Sequence, residues 1–235
     1  MEKSTVKEIK ERFDHDVERF SNLETGQVAT IDATISLELL TEASKRIVPE
    51  AEYLLDIGCG AGNYTLKMLS KIANLHCTLV DLSQPMLDRA KERVTEKTIN
   101  SVETIQGDIR EVQLQENSFD IILAGTVLHH LRDDQDWETT FQKLYRLLKP
   151  GGCLMISDLV TQENETMNEY IWERYGDYLE GVNGKEYRKT VLEYIEKEDS
   201  PRPVTYQLDL MKKVGFTTTE ILHKNMCFAA FGGIK

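Results

Sequence analysis

Cysteine is scarce in this 235-residue sequence: Cys59, Cys77, Cys153 and Cys227 lie far apart and form no C-x-x-C pair. That argues against a disulfide framework and against the common zinc clips, so four reduced thiols and no bound metal are expected. Three read as small buried hydrophobes, while Cys59 sits inside a glycine-rich turn. Long apolar runs are missing too. None approaches the roughly 20 residues needed to span a bilayer, and the opening MEKSTVKEIKERF is charged where a signal peptide would be apolar. A cytoplasmic protein with no membrane partner is expected. Basic excess is also lacking, since 28 Lys and Arg stand against 40 Asp and Glu, a net charge of -12. A nucleic-acid partner is therefore not expected. No internal repeat, low-complexity tract or Pro/Gly/Ser linker divides the chain, which reads as one domain.

What is present is a core-forming composition, 40% apolar, arranged with two periods. Val6, Ile9, Phe13, Val17 and Phe20 fall on one helical stripe that opens with a Thr5-x-x-Glu8 capping box. Ile31, Ile35, Leu39, Ala43 and Ile47 form a second stripe, stopped by Pro49. From Tyr53 onward, short apolar runs alternate with helical stretches: strands over 53–57, 76–81, 101–108, 119–125 and 153–160, with helices near 64–72, 84–95 and 136–149. Apolar strands separated by helices predict an α/β fold around a mostly parallel sheet covered on both faces. Residues 161–200 are helix-like, rich in Tyr and Trp, and carry eleven acidic against five basic side chains. A helix over 204–214 ending at Gly215, then two β-like runs, predict a terminal antiparallel hairpin.

The chemistry concentrates at strand ends. In LLDIGCGAGNYT, Asp56, Gly58, Gly60 and Gly62 mark the turn from the first strand into the next helix, where glycine permits a tight turn and close approach to a ligand. Gly62 falls two residues after Gly60, not three, which weakens the dinucleotide fingerprint. Asp56 would repel phosphate and favour a cationic ligand. Asp81 ends the second strand, 23 residues after Gly58, where a carboxylate can accept both hydroxyls of a ribose. Asp108 ends the third, suited to an exocyclic amine while Ile109 packs on a ring.

As a set, these residues resemble the class I S-adenosylmethionine-dependent methyltransferases. The likeness rests on LLDIGCGAG, LVD, GDI, FDIILAGTVLHHL and LLKPGGCLMISD, in that order. It implies a Rossmann-like seven-stranded sheet with a C-terminal antiparallel hairpin and S-adenosylmethionine as cofactor. The implied cofactor set is Asp56, Gly58, Gly60, Asp81, Leu82, Met86, Asp108, Ile109 and Ala124. Residues 1–50 would be N-terminal helices covering the active site, 51–160 the cofactor-binding core, 161–203 a helical lid insert, and 204–235 the final helix and hairpin of the same domain.

A sulfonium is already a good leaving group, so such an enzyme needs in-line placement of the acceptor, and a base only when the acceptor has a proton to lose. His129 and His130, after the fourth strand, are the candidate catalytic residues. The fourth strand carries AGTV where methyltransferases of planar amines in nucleic acid or glutamine carry an N-P-P-Y-like motif, which leaves a small metabolite as the expected acceptor. Arg188, with Arg174 nearby, is a candidate for a substrate carboxylate, and Tyr175 for the substrate pocket. The insert, GDIRE and MCFAAFGG are also similar to carboxy-S-adenosylmethionine synthases. That alternative stays open, as do a tRNA-modifying methyltransferase, an NAD-binding oxidoreductase and a non-catalytic cofactor-binding partner protein. A homodimer is allowed.

Overall fold

The computed structural model describes residues 3–22 and 27–235. Helices α1 (Val6–Asp14), α2 (Val17–Ser21) and α3 (Ala33–Ile47) precede β1 (Tyr53–Ile57), α4 (Asn63–Leu69), β2 (His76–Asp81), α5 (Gln84–Thr95), β3 (Val102–Gln106) and β4 (Phe119–Gly125). A short 3-10 turn, Leu128–His130, leads into α6 (Asp134–Leu147) and β5 (Leu148–Leu159). The long α7 (Glu165–Glu198), α8 (Val204–Val214), β6 (Thr218–Asn225) and β7 (Phe228–Ile234) complete the chain.

The seven strands form one sheet in the order β3-β2-β1-β4-β5-β7-β6. β1 through β5 pair in parallel, while β7 runs antiparallel to both β5 and β6. The chain winds outward from β1 to β3, then returns to place β4 on the other side of β1, so a crevice opens at the carboxyl ends of β1 and β4. Central β1 and β4 are almost wholly buried and edge strands β3 and β6 only partly, as expected when helices cover both faces. One face packs Leu37, Leu40, Met68, Leu87 and Val94 of α3, α4 and α5 against the sheet. The other packs Trp137, Phe141, Leu144 and Met211 of α6 and α8. A third cluster, Ile31, Leu159, Tyr175, Leu179, Val191 and Phe228, holds α7 over the carboxyl end of β5. Among the described residues, no helix is long and apolar enough to cross a membrane.

Two helical readings need correction. The first stripe does not make one helix: the chain breaks at His15–Asp16, and of its five apolar residues only Ile9 is buried. The second stripe is displaced by about one residue, because α3 starts at Ala33 after Asp32 in a left-handed conformation. Its buried face is Leu37, Leu40, Thr41 and Ser44, whereas Ile35 is exposed. The two hydroxyls are tolerated there because Thr41 donates to the Leu37 carbonyl and Ser44 to the Leu40 carbonyl, both at 2.8 Å. The acidic segment forms helix α7, interrupted at Asn183 and Gly184, whose backbone angles are non-helical.

Candidate active site

Three confluent cavities occupy the crevice. One, at the β2–β3 side, is lined by Asp81, Leu82, Asp108, Ile109, Val127 and Leu131. The central one is lined by Gly58, Gly60, Asp81, Tyr64 and Met86. The third lies beneath α1, α2 and α7, among Phe13, Phe20, Tyr175, Tyr194 and Phe228. His130 lines all three.

Gly58 and Gly60 have φ of +61° and +50°, a left-handed region that glycine enters without penalty. A Cβ on Gly58 would lie 2.5 Å from Val127, whereas one on Gly60 would meet nothing within 4 Å, so the Gly60 backbone faces open cavity. Gly62 instead approaches Ala90 and Val94 and serves helix packing. The Asp81 carboxylate accepts from the backbone N–H of Gly60 at 2.8 Å and of Ser83 at 2.9 Å. Burial raises its pKa, and those N–H donors oppose the rise. Asp108 is gripped by Arg110, whose Nη2 lies 2.6 Å from Oδ2 and whose Nη1 reaches Asp136 at 2.6 Å. Burial works against the Asp108 charge, but Arg110 outweighs it and holds the carboxyl below its usual range.

Three residues expected at the site do not line it. Asp56 is fully buried, and its Oδ2 accepts from the Thr65 hydroxyl at 2.7 Å and backbone N–H at 3.2 Å. It thus satisfies an orphan donor in the first turn of α4. Burial pushes its carboxyl up to about 7, with those bonds opposing. Ala124 is enclosed inside the sheet between Ile57 and Ile156, and the cavity wall begins one residue later, at Gly125 and Thr126. Arg188 packs its guanidinium over Gly176 and pairs with Asp177 at 3.0 Å and Glu180 at 3.4 Å, and it lines none of the three cavities. The Arg174 guanidinium is likewise held by Asp177, at 3.1 Å. Tyr175 does face the third cavity, and its hydroxyl donates to the Ala29 carbonyl at 2.9 Å.

The adjacent histidines occupy opposite electrostatic states. The His129 ring engages Asp158 through Nδ1, its backbone N–H donates to Asp158 Oδ2 at 3.1 Å, and its Nε2 lies 3.7 Å from Asp199. Burial disfavours the charged ring, but the two carboxylates prevail and raise its pKa to about 9. His130 lies 3.0 Å from Asp199 through Nδ1. Burial, reinforced by the neighbouring His129 charge, lowers its pKa, so it is neutral at pH 7. His129, His130 and Asp199 bring three metal-ligating atoms within 4.8 Å of one another. With His129 protonated and the Arg12 and Arg132 charges nearby, the cluster favours a proton over a divalent cation.

Sequence reasoning passed over several lining residues. Phe13 and Phe20 read as part of a helical stripe, and Arg12 and Arg19 carried no assignment, yet all four line the third cavity. Asp158 lines none of the cavities but holds His129 from behind, and it follows the strand-end pattern that singled out Asp81 and Asp108. Thr126, a β-branched residue at φ +52°, bridges the central and third cavities. Such strain persists only where the surroundings impose it, and nothing local in the sequence signals it.

A seven-stranded sheet of this order, with a glycine turn and an aspartate-tipped second strand at the switch point, defines a Rossmann-like nucleoside-binding enzyme. Residues 54–152 match the family model described as a methyltransferase domain. The chain is 31% identical over 193 residues to a demethylmenaquinone methyltransferase of Listeria monocytogenes, covering 80% of each protein. It is 28% identical over 199 residues to a carboxy-S-adenosyl-L-methionine synthase of Vibrio atlanticus, covering 82% of this chain and 80% of that protein. Its fold is similar to that of the N-methyltransferase NodS of Bradyrhizobium japonicum in complex with S-adenosyl-L-homocysteine, with a TM-score of 0.67, 15% identity and 99% of each chain covered. The chain belongs to the S-adenosylmethionine-dependent methyltransferase family, and S-adenosylmethionine is its cofactor.

Proposed function

We propose that the chain methylates a small molecule seated in the cavity beneath α1, α2 and α7, with His130 as general base when the acceptor has a proton to lose. The observation that carries this reading is the position of His130, the neutral member of the pair, at the meeting point of all three cavities. The open backbone of Gly60, the Asp81 carboxylate and the Ile109 side chain fit a nucleoside. Gly58, Gly60, Asp81, Leu82, Met86, Asp108 and Ile109 are the residues that would hold the cofactor. Once bound, it supplies an electrophilic methyl group and a good leaving group. The protein then has to orient the acceptor, exclude water and receive one proton. Phe13, Phe20, Tyr175 and Phe228 shape an apolar chamber for the acceptor. A proton taken by His130 is stabilised by the Asp199 carboxylate 3.0 Å away. His129 already carries its proton and positions that carboxylate.

The demethylmenaquinone methyltransferase relative supports a small organic acceptor. The carboxy-S-adenosyl-L-methionine synthase relative keeps a second reading in view, but Arg188, the candidate partner for a carboxylate, is already engaged by Asp177 and Glu180. The test is to incubate the protein with methyl-labelled cofactor and a cell extract separated into small-molecule, RNA and protein fractions. Label in the small-molecule fraction, lost with His130→Ala while S-adenosylhomocysteine binding persists, is expected. Label confined to RNA or protein would overturn the reading.

A further inference from the structure

The third cavity holds two guanidinium groups in a chain of net charge -12, and they are differently committed. Arg12 donates to both oxygens of Glu198, at 2.6 to 3.0 Å, and stacks over Phe13. That bidentate pair fastens α1 to the end of α7 and leaves Arg12 little capacity for a ligand. Arg19 has a looser bond. Its Nη2 lies 2.8 Å from Asp16, three residues earlier and partly exposed, an arrangement worth little in water and readily exchanged for another anion.

Arg19 is also joined to the proposed base by a run of rings. Its guanidinium lies 4.6 Å from the Phe20 centroid, Phe20 lies 5.5 Å from Phe13, and Phe13 meets the His130 ring edge-on at 6.0 Å. Across the cavity, burial pushes the Tyr194 phenol up to about 12, and the Arg19 charge opposes that rise, so the charge reaches the α7 wall. The carboxylate lining this cavity, Asp199, is faced by His129 and His130. Among the described residues the chamber therefore has an apolar ring-lined middle, a neutral imidazole at the cofactor end and a weakly committed guanidinium at the other.

We infer that Arg19 is the acceptor-binding cation, and that the acceptor is a planar hydroxylated ring compound bearing a carboxylate, its hydroxyl at His130 and its carboxylate at Arg19. The inference rests on the proposed methyl transfer and names the chemical class of its acceptor. A planar ring matches the Phe13–Phe20 wall, and the carboxylate takes the place of Asp16 as partner of the guanidinium.

The experiment loads the protein with S-adenosylhomocysteine and titrates, by calorimetry, a panel of mono- and bicyclic hydroxylated aromatic acids, each paired with its methyl ester. At least one acid should bind ten-fold or more tightly than its ester. Arg19→Ala and Arg19→Gln should abolish that preference, Arg19→Lys should keep part of it, and S-adenosylhomocysteine affinity should not change in any of them. Equal binding of acid and ester in every pair overturns the inference, as does an acid preference that survives Arg19→Ala, or no binding by any acid at millimolar concentration. Methyl transfer to the neutral esters alone would sink the Arg19 assignment while leaving the methyltransferase reading intact.

Discussion

The cofactor half and the acceptor half of the crevice are built by different means. The cofactor half is made of strand-end turns, 56–62, 81–86 and 107–109, each a few consecutive residues whose geometry is set by glycine, a short strand and a helix start. The acceptor half gathers α1, α2, the turn after β4, the end of β5, α7 and the start of β7, residues far apart in the chain, such as Arg12 and Glu198, paired across 186 positions. Local turns can be read from local sequence, while a pocket assembled across the chain is fixed by packing. The cost of error differs as well. A wrong turn residue disturbs the sheet, whereas a change at Arg19 alters the cavity without touching a core cluster.

The sharpest way to break this division is His130→Ala. Loss of a general base should lower kcat about 10²- to 10⁴-fold with S-adenosylhomocysteine affinity within two-fold, measured by single-turnover transfer and calorimetry. An equal loss of cofactor affinity would show that the halves do not separate at His130. The neighbouring ring should respond to pH instead. Because the folded-state pKa of His129 is raised to about 9, its contribution to stability is fully present below about pH 6.5 and is lost as pH rises through 9. The amount is on the order of 3 kcal/mol. Thermal unfolding between pH 6 and 10 should show the wild-type Tm falling across that window and His129→Gln falling much less. Parallel curves would remove the charged His129 from the account.

On the cofactor side, Asp81→Ala should weaken S-adenosylhomocysteine binding about 10- to 150-fold, equivalent to about 1.5 to 3 kcal/mol for a hydrogen-bonded charge. Asp81→Asn separates the ligand from the fold, because it keeps an acceptor for the Gly60 or Ser83 N–H. Unchanged affinity in both variants, each folded by circular dichroism, would refute the ribose assignment. The smallest expected effect is that of Arg188→Ala. With its guanidinium directed at Asp177 and Glu180, it should change stability by less than about 0.5 kcal/mol and leave KM and kcat unaltered. A several-fold rise in KM would return Arg188 to the pocket and shift the boundary between the halves.

Legibility follows the same division. The strand-helix alternation, the terminal hairpin and the placement of Asp81, Asp108 and Gly60 around one crevice were readable because each depends on a short run of residues. The break at His15–Asp16 was not, since Phe13, Val17 and Phe20 keep a helical spacing on both sides of it. Phe13 and Phe20 kept that spacing while lining a cavity, so periodicity could not tell core from pocket. Asp56 and Arg188 had suitable chemistry for ligands, but each found a partner inside the protein: Thr65 in the first turn of α4, and Asp177 and Glu180 across the break at Asn183 and Gly184 in α7.

The sequence by itself determined the parallel sheet and the strand-end turns that line the nucleoside crevice, because each turn arises from a glycine conformation or a strand-end carboxylate within its own few residues. Only the tertiary structure decided which of two adjacent histidines is neutral. His129 and His130 have the same intrinsic pKa, and the difference comes from Asp158 and Asp199, carboxylates brought from 28 to 70 positions away onto one side of the pair. The same packing set Arg12 against Glu198 and left Arg19 facing the cavity, a choice that no local pattern contains because it depends on where α7 ends when the chain is folded.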